Sequence, residues 1–229
     1  WAQELGSTVT ELELASQCRC NGSDGYLAWV DYSLQIRETA NPTLDDIDYE
    51  VKVFDDPNLL RAAIVEKNRL SNKARMVAGY CWDWVSKKDK AASDIIIPEH
   101  NFEAQWNLAD DGSLWLIAEH SVKQIGCIHT CQGLELDYIG VIIGDDFVIR
   151  DGVAVADAAK RSSNDRSIRG YKKMLKADPE HARQITSDII KNTYRTLMTR
   201  GQKGCYIYCT DPETSDYFMA MTQRHEESD

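Results

Sequence analysis

Short apolar runs alternate along this chain with segments of helical periodicity. The clearest run, Tyr138-Ile139-Gly140-Val141-Ile142-Ile143-Gly144, is apolar at nearly every position and too short for a helix. It predicts a strand buried on both faces. Another apolar run, which ends in His129-Thr130, precedes it, and the polar turn Cys131-Gln132-Gly133-Leu134-Glu135 joins the two. A polar connection at the edge of a buried sheet is where ligands of open α/β folds bind.

Upstream, the alternation of Val9, Leu12 and Leu14 predicts a strand ending at Gln17-Cys18-Arg19. Asn21 to Gly25 is a dense turn signal, after which Gly25 to Val30 predicts a short helix leading to Leu34. Tyr49 to Phe54 alternates with period two, Asp56-Pro57 opens a helix that runs to about Asn72, and Lys73 to Trp82 reads as a further strand. That order is a βαβ signature and predicts parallel pairing. Residues 83–118 form an irregular insert with Ile95-Ile96-Ile97-Pro98 and a hairpin signal at Asp110-Asp111-Gly112. Trp82, Trp84, Trp106 and Trp115 concentrate there and fit either a base-stacking platform or plain packing.

Downstream, Phe147 to Val153 predicts a strand and turn. Residues 157–184 are polar, basic and weakly periodic, which predicts a mobile insertion carrying a helix. Thr186 to Thr199 presents one apolar face through Ile189, Ile190, Tyr194, Leu197 and Met198, with Gly201 placed to stop the helix. Gly204 to Cys209 is a buried strand, and Asp211-Pro212 opens a last helix to about Arg224. The sum predicts one three-layer α/β domain over residues 1–229, its sheet mostly parallel with helices on both faces.

Composition narrows the function. The net charge of −11 argues against a freestanding nucleic-acid binder. Positive charge nevertheless concentrates between 160 and 203, at Lys160, Arg161, Arg166, Arg169, Lys172 and Lys173 among others, as a partner surface or a solvated helix face would have it. The seven cysteines are odd in number and include no C-x-x-C pair, which predicts a reducing, cytoplasmic compartment and no metal site. No segment has the apolar length of a membrane span or the pattern of a signal peptide. A first residue of Trp1 rather than Met predicts a piece of a longer protein.

Three pieces fall in order: Leu14-Ala15-Ser16-Gln17-Cys18-Arg19, His129-Thr130-Cys131-Gln132-Gly133-Leu134-Glu135, and Leu197-Met198-Thr199-Arg200-Gly201. Together they resemble motifs IV, V and VI of superfamily I helicases. Over most of its length, through GSDGYLAWVD, GYCWDW, HTCQGLELDYIGVIIG and RTLMTRGQKGCYIYCTD, the chain is similar to the domain-of-unknown-function family 2075, grouped with Schlafen-type helicase-like ATPases.

The resemblance implies the second RecA-like domain of a P-loop NTPase, an ATP- and Mg2+-dependent motor acting on single-stranded DNA or RNA. Nucleotide would bind between this domain and an N-terminal P-loop domain. This chain has no G-x-x-x-x-G-K-[ST] and should not hydrolyse ATP by itself. Arg200 would be an arginine finger and Arg19 a second phosphate contact. Gln17, Gln132, Gly133, Glu135 and Thr199 would line the nucleotide. His129 and Thr130, with Lys160, Arg161, Lys172 and Lys173, would face nucleic acid. Each has a plainer counterpart, such as an arginine at a helix C-terminus for Arg200 or a core histidine for His129. Two other readings share the sequence: an ATP-driven switch or defence sensor acting through protein partners, and a stand-alone binding module in which Arg19 and Arg200 lie far apart.

Overall fold

The computed structural model describes residues 23–40, 42–107, 115, 118–130 and 135–223. The strand expected before Arg19, the Asp110-Asp111-Gly112 hairpin, and Gln17, Arg19, Gln132 and Gly133 lie outside the described residues.

Five strands form one sheet: β1 (Glu50–Phe54), β2 (Ala74–Ala78), β5 (Ile125–Gly126), β6 (Leu136–Ile143) and β9 (Gly201–Cys209). Their order is β1-β9-β6-β2-β5, and every pairing is parallel. The βαβ expectation needs a correction here. β1 and β2 run parallel but are not neighbours, because β9 and β6 lie between them.

Side chains alternate across the sheet as a pleated strand requires. Val77, Ile139, Val141, Ile143, Cys205 and Ile207 point into one core. Three helices, α1 (Asp24–Ser33), α4 (Pro179–Met198) and α5 (Pro212–Thr222), cover that core. Met76, Ala78, Ile142, Tyr206 and Tyr208 point into the other core, where α2 (Pro57–Ser71) contributes Leu60 and Ile64. Helices on both faces explain why β6 is apolar without interruption.

Three of these helices open in the same way. Asp56, Asp178 and Asp211 accept from the backbone N–H of Asn58 (2.7 Å), His181 (3.1 Å) and Thr214 (2.9 Å), and each is followed by proline. The aspartate satisfies an orphan donor, and proline has no N–H to lose at that position. The second signal starts α4 at Pro179, seven residues before the expected Thr186. α1 is capped by Ser23, whose Oγ accepts from the Tyr26 N–H at 3.2 Å.

Other boundaries also differ. The strand expected over Lys73–Trp82 ends at Ala78, and β5 is two residues long. The irregular insert holds a hairpin of β3 (Ile95–Ile97) and β4 (Phe102–Ala104) turning at Pro98–His100. A second hairpin, β7 (Phe147–Arg150) and β8 (Val153–Ala156), turns at Asp151 (φ 50°) and Gly152 (φ 77°). Positive φ at both turn residues is the twist-matched hairpin geometry.

Gly201 is the first residue of β9, and α4 is capped by Thr199 instead. Between the pairs Leu136–Gly201 and Tyr138–Gly204 the register slips by one residue, so β9 carries a bulge there. Residues 157–184 are tied to the fold rather than loosely appended. They hold a 3-10 turn at Ala158–Lys160, the helix α3 (Tyr171–Ala177) and the first turns of α4.

Candidate functional site

The predicted residues separate onto the two ends of the sheet. Cys127 to Thr130 follow the C-terminal end of β5, whereas Glu135 precedes the N-terminal end of β6. His129 and Thr130 therefore lie at the opposite end of the sheet from Glu135.

At the N-terminal edge, Leu136 and Gly201 are register partners on adjacent strands. The residues just before them, Glu135 and Arg200, accordingly fall at neighbouring strand starts. Glu135 is exposed, and Arg200 is 8% exposed. Thr199 is nearly inaccessible, and its hydroxyl donates back to the Arg195 carbonyl at 2.9 Å. Its visible task is to end α4 rather than to present an oxygen to a ligand.

Two tyrosines hold the segment that carries Arg200. Tyr26 Oη donates to the Met198 carbonyl at 2.9 Å, and Tyr49 Oη donates to the Gly201 carbonyl at 3.0 Å. A turn earlier, Arg195 pairs with the buried Asp31, which also accepts from Arg37 Nε at 2.8 Å. Burial in this setting favours Arg over Lys, since guanidinium is the more weakly hydrated cation. Sequence reasoning missed both tyrosines, because the residues they bond lie more than 150 positions away.

At the C-terminal edge lies a cleft of about 1520 Å³. His129 and Thr130 line it on one side, and Arg166, Arg169, Lys172 and Lys173 on the other. The four cations and His129 are exposed. Thr130 Oγ1 donates to Asn107 Oδ1 at 2.7 Å, which fixes its rotamer. Trp84, Lys87 and Tyr80 complete the wall, and burial pushes the Tyr80 phenol up to about 12. The cleft concentrates positive charge on a protein that is acidic overall.

Two of the basic candidates are not on the cleft's exposed basic wall. Lys160 borders a smaller hollow with Trp82, Glu99, Asp145 and Thr210. The Arg161 side chain is only 1% exposed and is paired with Asp146 (3.1 Å) and Asp165 (2.9 Å). Its charge is spent inside the fold and shapes the floor of the cleft. Asp146 also accepts from Tyr194 Oη, and the Gly144 N–H donates to that same Tyr194 oxygen at 3.0 Å. Burial pushes the Asp146 carboxyl up, while the Arg161 charge and the Tyr194 hydroxyl pull it back. Burial likewise raises the neighbouring Cys81 thiol, with the Asp146 charge adding to it. That thiol is not poised as a nucleophile.

Trp106 and Trp115 are fully buried, so packing accounts for them. Among the described residues no group of three or more His, Cys, Asp or Glu converges as a metal site, and no helix is long and apolar enough to cross a membrane.

An open parallel sheet covered on both faces is an α/β architecture that binds ligands beyond its strand ends. Residues 1–211 match the family described as Schlafen group 3, DNA/RNA helicase domain, and the chain belongs to that family. It is a helicase-like domain. It is also similar to the uncharacterized protein YPL245W of Saccharomyces cerevisiae, with 25% identity over 226 residues covering 92% of this chain and 48% of that protein. The chain thus spans about half the length of the curated relative it matches. No solved structure matches it.

Proposed function

We propose that this chain is the C-terminal, RecA-like motor domain of an ATP-dependent nucleic-acid helicase or translocase. ATP would bind between its N-terminal sheet edge and a P-loop domain of the same protein. Arg200 would neutralise charge on the γ-phosphate oxygens during transfer, and Glu135 would accept from the nucleotide's hydroxyls. A single strand of DNA or RNA would lie along the basic cleft at the other edge, held mainly through phosphates by Lys172, Lys173 and Arg169.

One observation carries the reading. The register of β6 against β9 brings the ends of two separate sequence motifs, Glu135 and Arg200, to adjacent strand starts. A surface arginine capping a helix would need no such partner. The magnesium implied by the chemistry belongs with the phosphates and the acidic motif of the P-loop domain. This chain's own part is to hold a desolvated guanidinium in place and to close over the nucleotide.

The test is ATP hydrolysis by the full-length protein, with and without single-stranded DNA or RNA. Arg200→Ala should lower kcat by about 10³-fold with nucleotide binding retained. Arg200→Lys should rescue little of it, since an ammonium cannot span two oxygens as the guanidinium fork does. Unchanged turnover in Arg200→Ala would refute the arginine-finger assignment.

A further inference from the structure

We propose that Trp84 is a stacking platform for one base of a single strand in the basic cleft, with Lys87 covering the ring until a base replaces it. This rests on the cleft being the nucleic-acid site. Of the four tryptophans in the 82–115 region, Trp106 and Trp115 are fully buried and Trp82 borders the other hollow. Trp84 is only partly buried, and it lines the cleft.

The ring is held from behind. Trp84 packs on Trp106 with centroids 6.4 Å apart, and Trp106 packs on Tyr80 at 5.3 Å. Trp106 Nε1 donates to the Trp82 carbonyl at 3.3 Å. The buried Asp94 accepts from the Trp106 N–H (2.8 Å), the Ser86 N–H (2.7 Å) and the Ser86 hydroxyl (2.6 Å). Ser86 is thereby tied to that carboxylate directly, and Trp82 through Trp106. A ring so supported loses little freedom when a ligand stacks on it.

Lys87 lies over the ring, with its Nζ 3.9 Å from the ring centroid. A cation–π contact at an exposed site is weaker than base–aromatic stacking, so a base displaces the ammonium. The displaced Lys87 then has a phosphate of the same strand within reach, and its charge is not wasted. Arg169, Lys172 and Lys173 line the same cleft, where they can take the flanking phosphates. Trp84 would add a base-dependent but sequence-tolerant component to a grip that is otherwise electrostatic.

The experiment uses the full-length protein and fluorescence anisotropy with three labelled strands of one length: oligo(dT), oligo(rU) and an abasic strand with the same phosphates. The wild type should bind the strands with bases about tenfold tighter than the abasic one. Trp84→Leu keeps apolar packing on Trp106 but has no π face, and it should remove that preference while leaving abasic binding within twofold. Trp84→Tyr should keep most of the preference. Lys172→Ala with Lys173→Ala should weaken all three strands alike and flatten the salt dependence.

If Trp84→Leu keeps the full preference for bases, or lowers binding of all strands equally, the stacking assignment is wrong and the cleft remains the binding site. If Lys172→Ala with Lys173→Ala leaves all three affinities unchanged, the cleft is not the site, and both readings fall.

Discussion

The rings of Tyr26 and Tyr49 stack with centroids 3.8 Å apart, and their hydroxyls reach the carbonyls on either side of Arg200. One tyrosine comes from α1 and the other from the entry to β1, so two distant parts of the chain converge on the Met198–Gly201 segment. Each hydroxyl donates to a buried backbone carbonyl, and removing one takes that donor away. Tyr26→Phe and Tyr49→Phe should each cost about 1 kcal/mol in urea unfolding. Because the rings touch, the double variant should depart from the sum. On the arginine-finger role proposed for Arg200, the pair should lower the full-length protein's kcat for ATP more than it raises KM, since what is lost is the placement of Arg200. Equal kcat in the double variant would mean that the clamp serves stability alone.

Acid should weaken the fold through two carboxylates. Arg150 holds the Asp211 carboxyl down at about 2 through hydrogen bonds at 2.7 and 2.8 Å. At Glu50, burial works to raise the pKa, but hydrogen bonds from Lys52, Lys67 and Tyr206 outweigh it and hold the group at about 2. Both folded values lie below the unfolded ones of about 4. Their stabilisation is therefore complete above about pH 4.5 and drains away as pH falls toward 2. Asp211→Asn retains a competent helix cap but has no charge to titrate. Urea midpoints measured from pH 7 to pH 2 should fall less steeply in that variant than in the wild type. Parallel slopes would show that the Arg150–Asp211 pair contributes no pH dependence.

What the sequence disclosed was local, and what it concealed was long-range. The apolar run at 138–144 and the Asp-Pro signals at 56–57 and 211–212 announced β6, α2 and α5, because strand burial and helix capping are written in adjacent residues. The same signal at Asp178-Pro179 sits within a run of positive charge that masks it, and α4 begins seven residues before Thr186. Strand order could not be read, since adjacency depends on crossovers and not on any one segment. Arg161 looks in sequence like its neighbouring surface cations, because its partners, Asp146 and Asp165, announce nothing until the fold brings them within 3.1 Å. The motifs around Glu135 and Arg200 were legible as motifs, but only the register of β6 on β9 makes them neighbours.

That register depends on a glycine, and the dependence can be measured. A Cβ on Gly201 would press into the Gly204 carbonyl across the β9 bulge, well inside van der Waals contact, and would also crowd Tyr49 Oη at 3.1 Å. The carbonyl belongs to backbone pinned between β1 and β6, so it cannot swing aside as a side-chain end would. Gly201→Ala should therefore cost about 2–3 kcal/mol by overpacking. On the proposed role of Arg200, it should also lower ATP turnover in the full-length protein, because Arg200 immediately precedes the bulge. Gly152→Ala is the matched control. Gly152 sits at φ 77° with open space around its would-be Cβ, so only backbone strain of about 1 kcal/mol is at stake. Its turnover should equal the wild type's. If Gly201→Ala unfolds at the same urea concentration as Gly152→Ala and turns over ATP normally, the bulge is not what fixes Arg200.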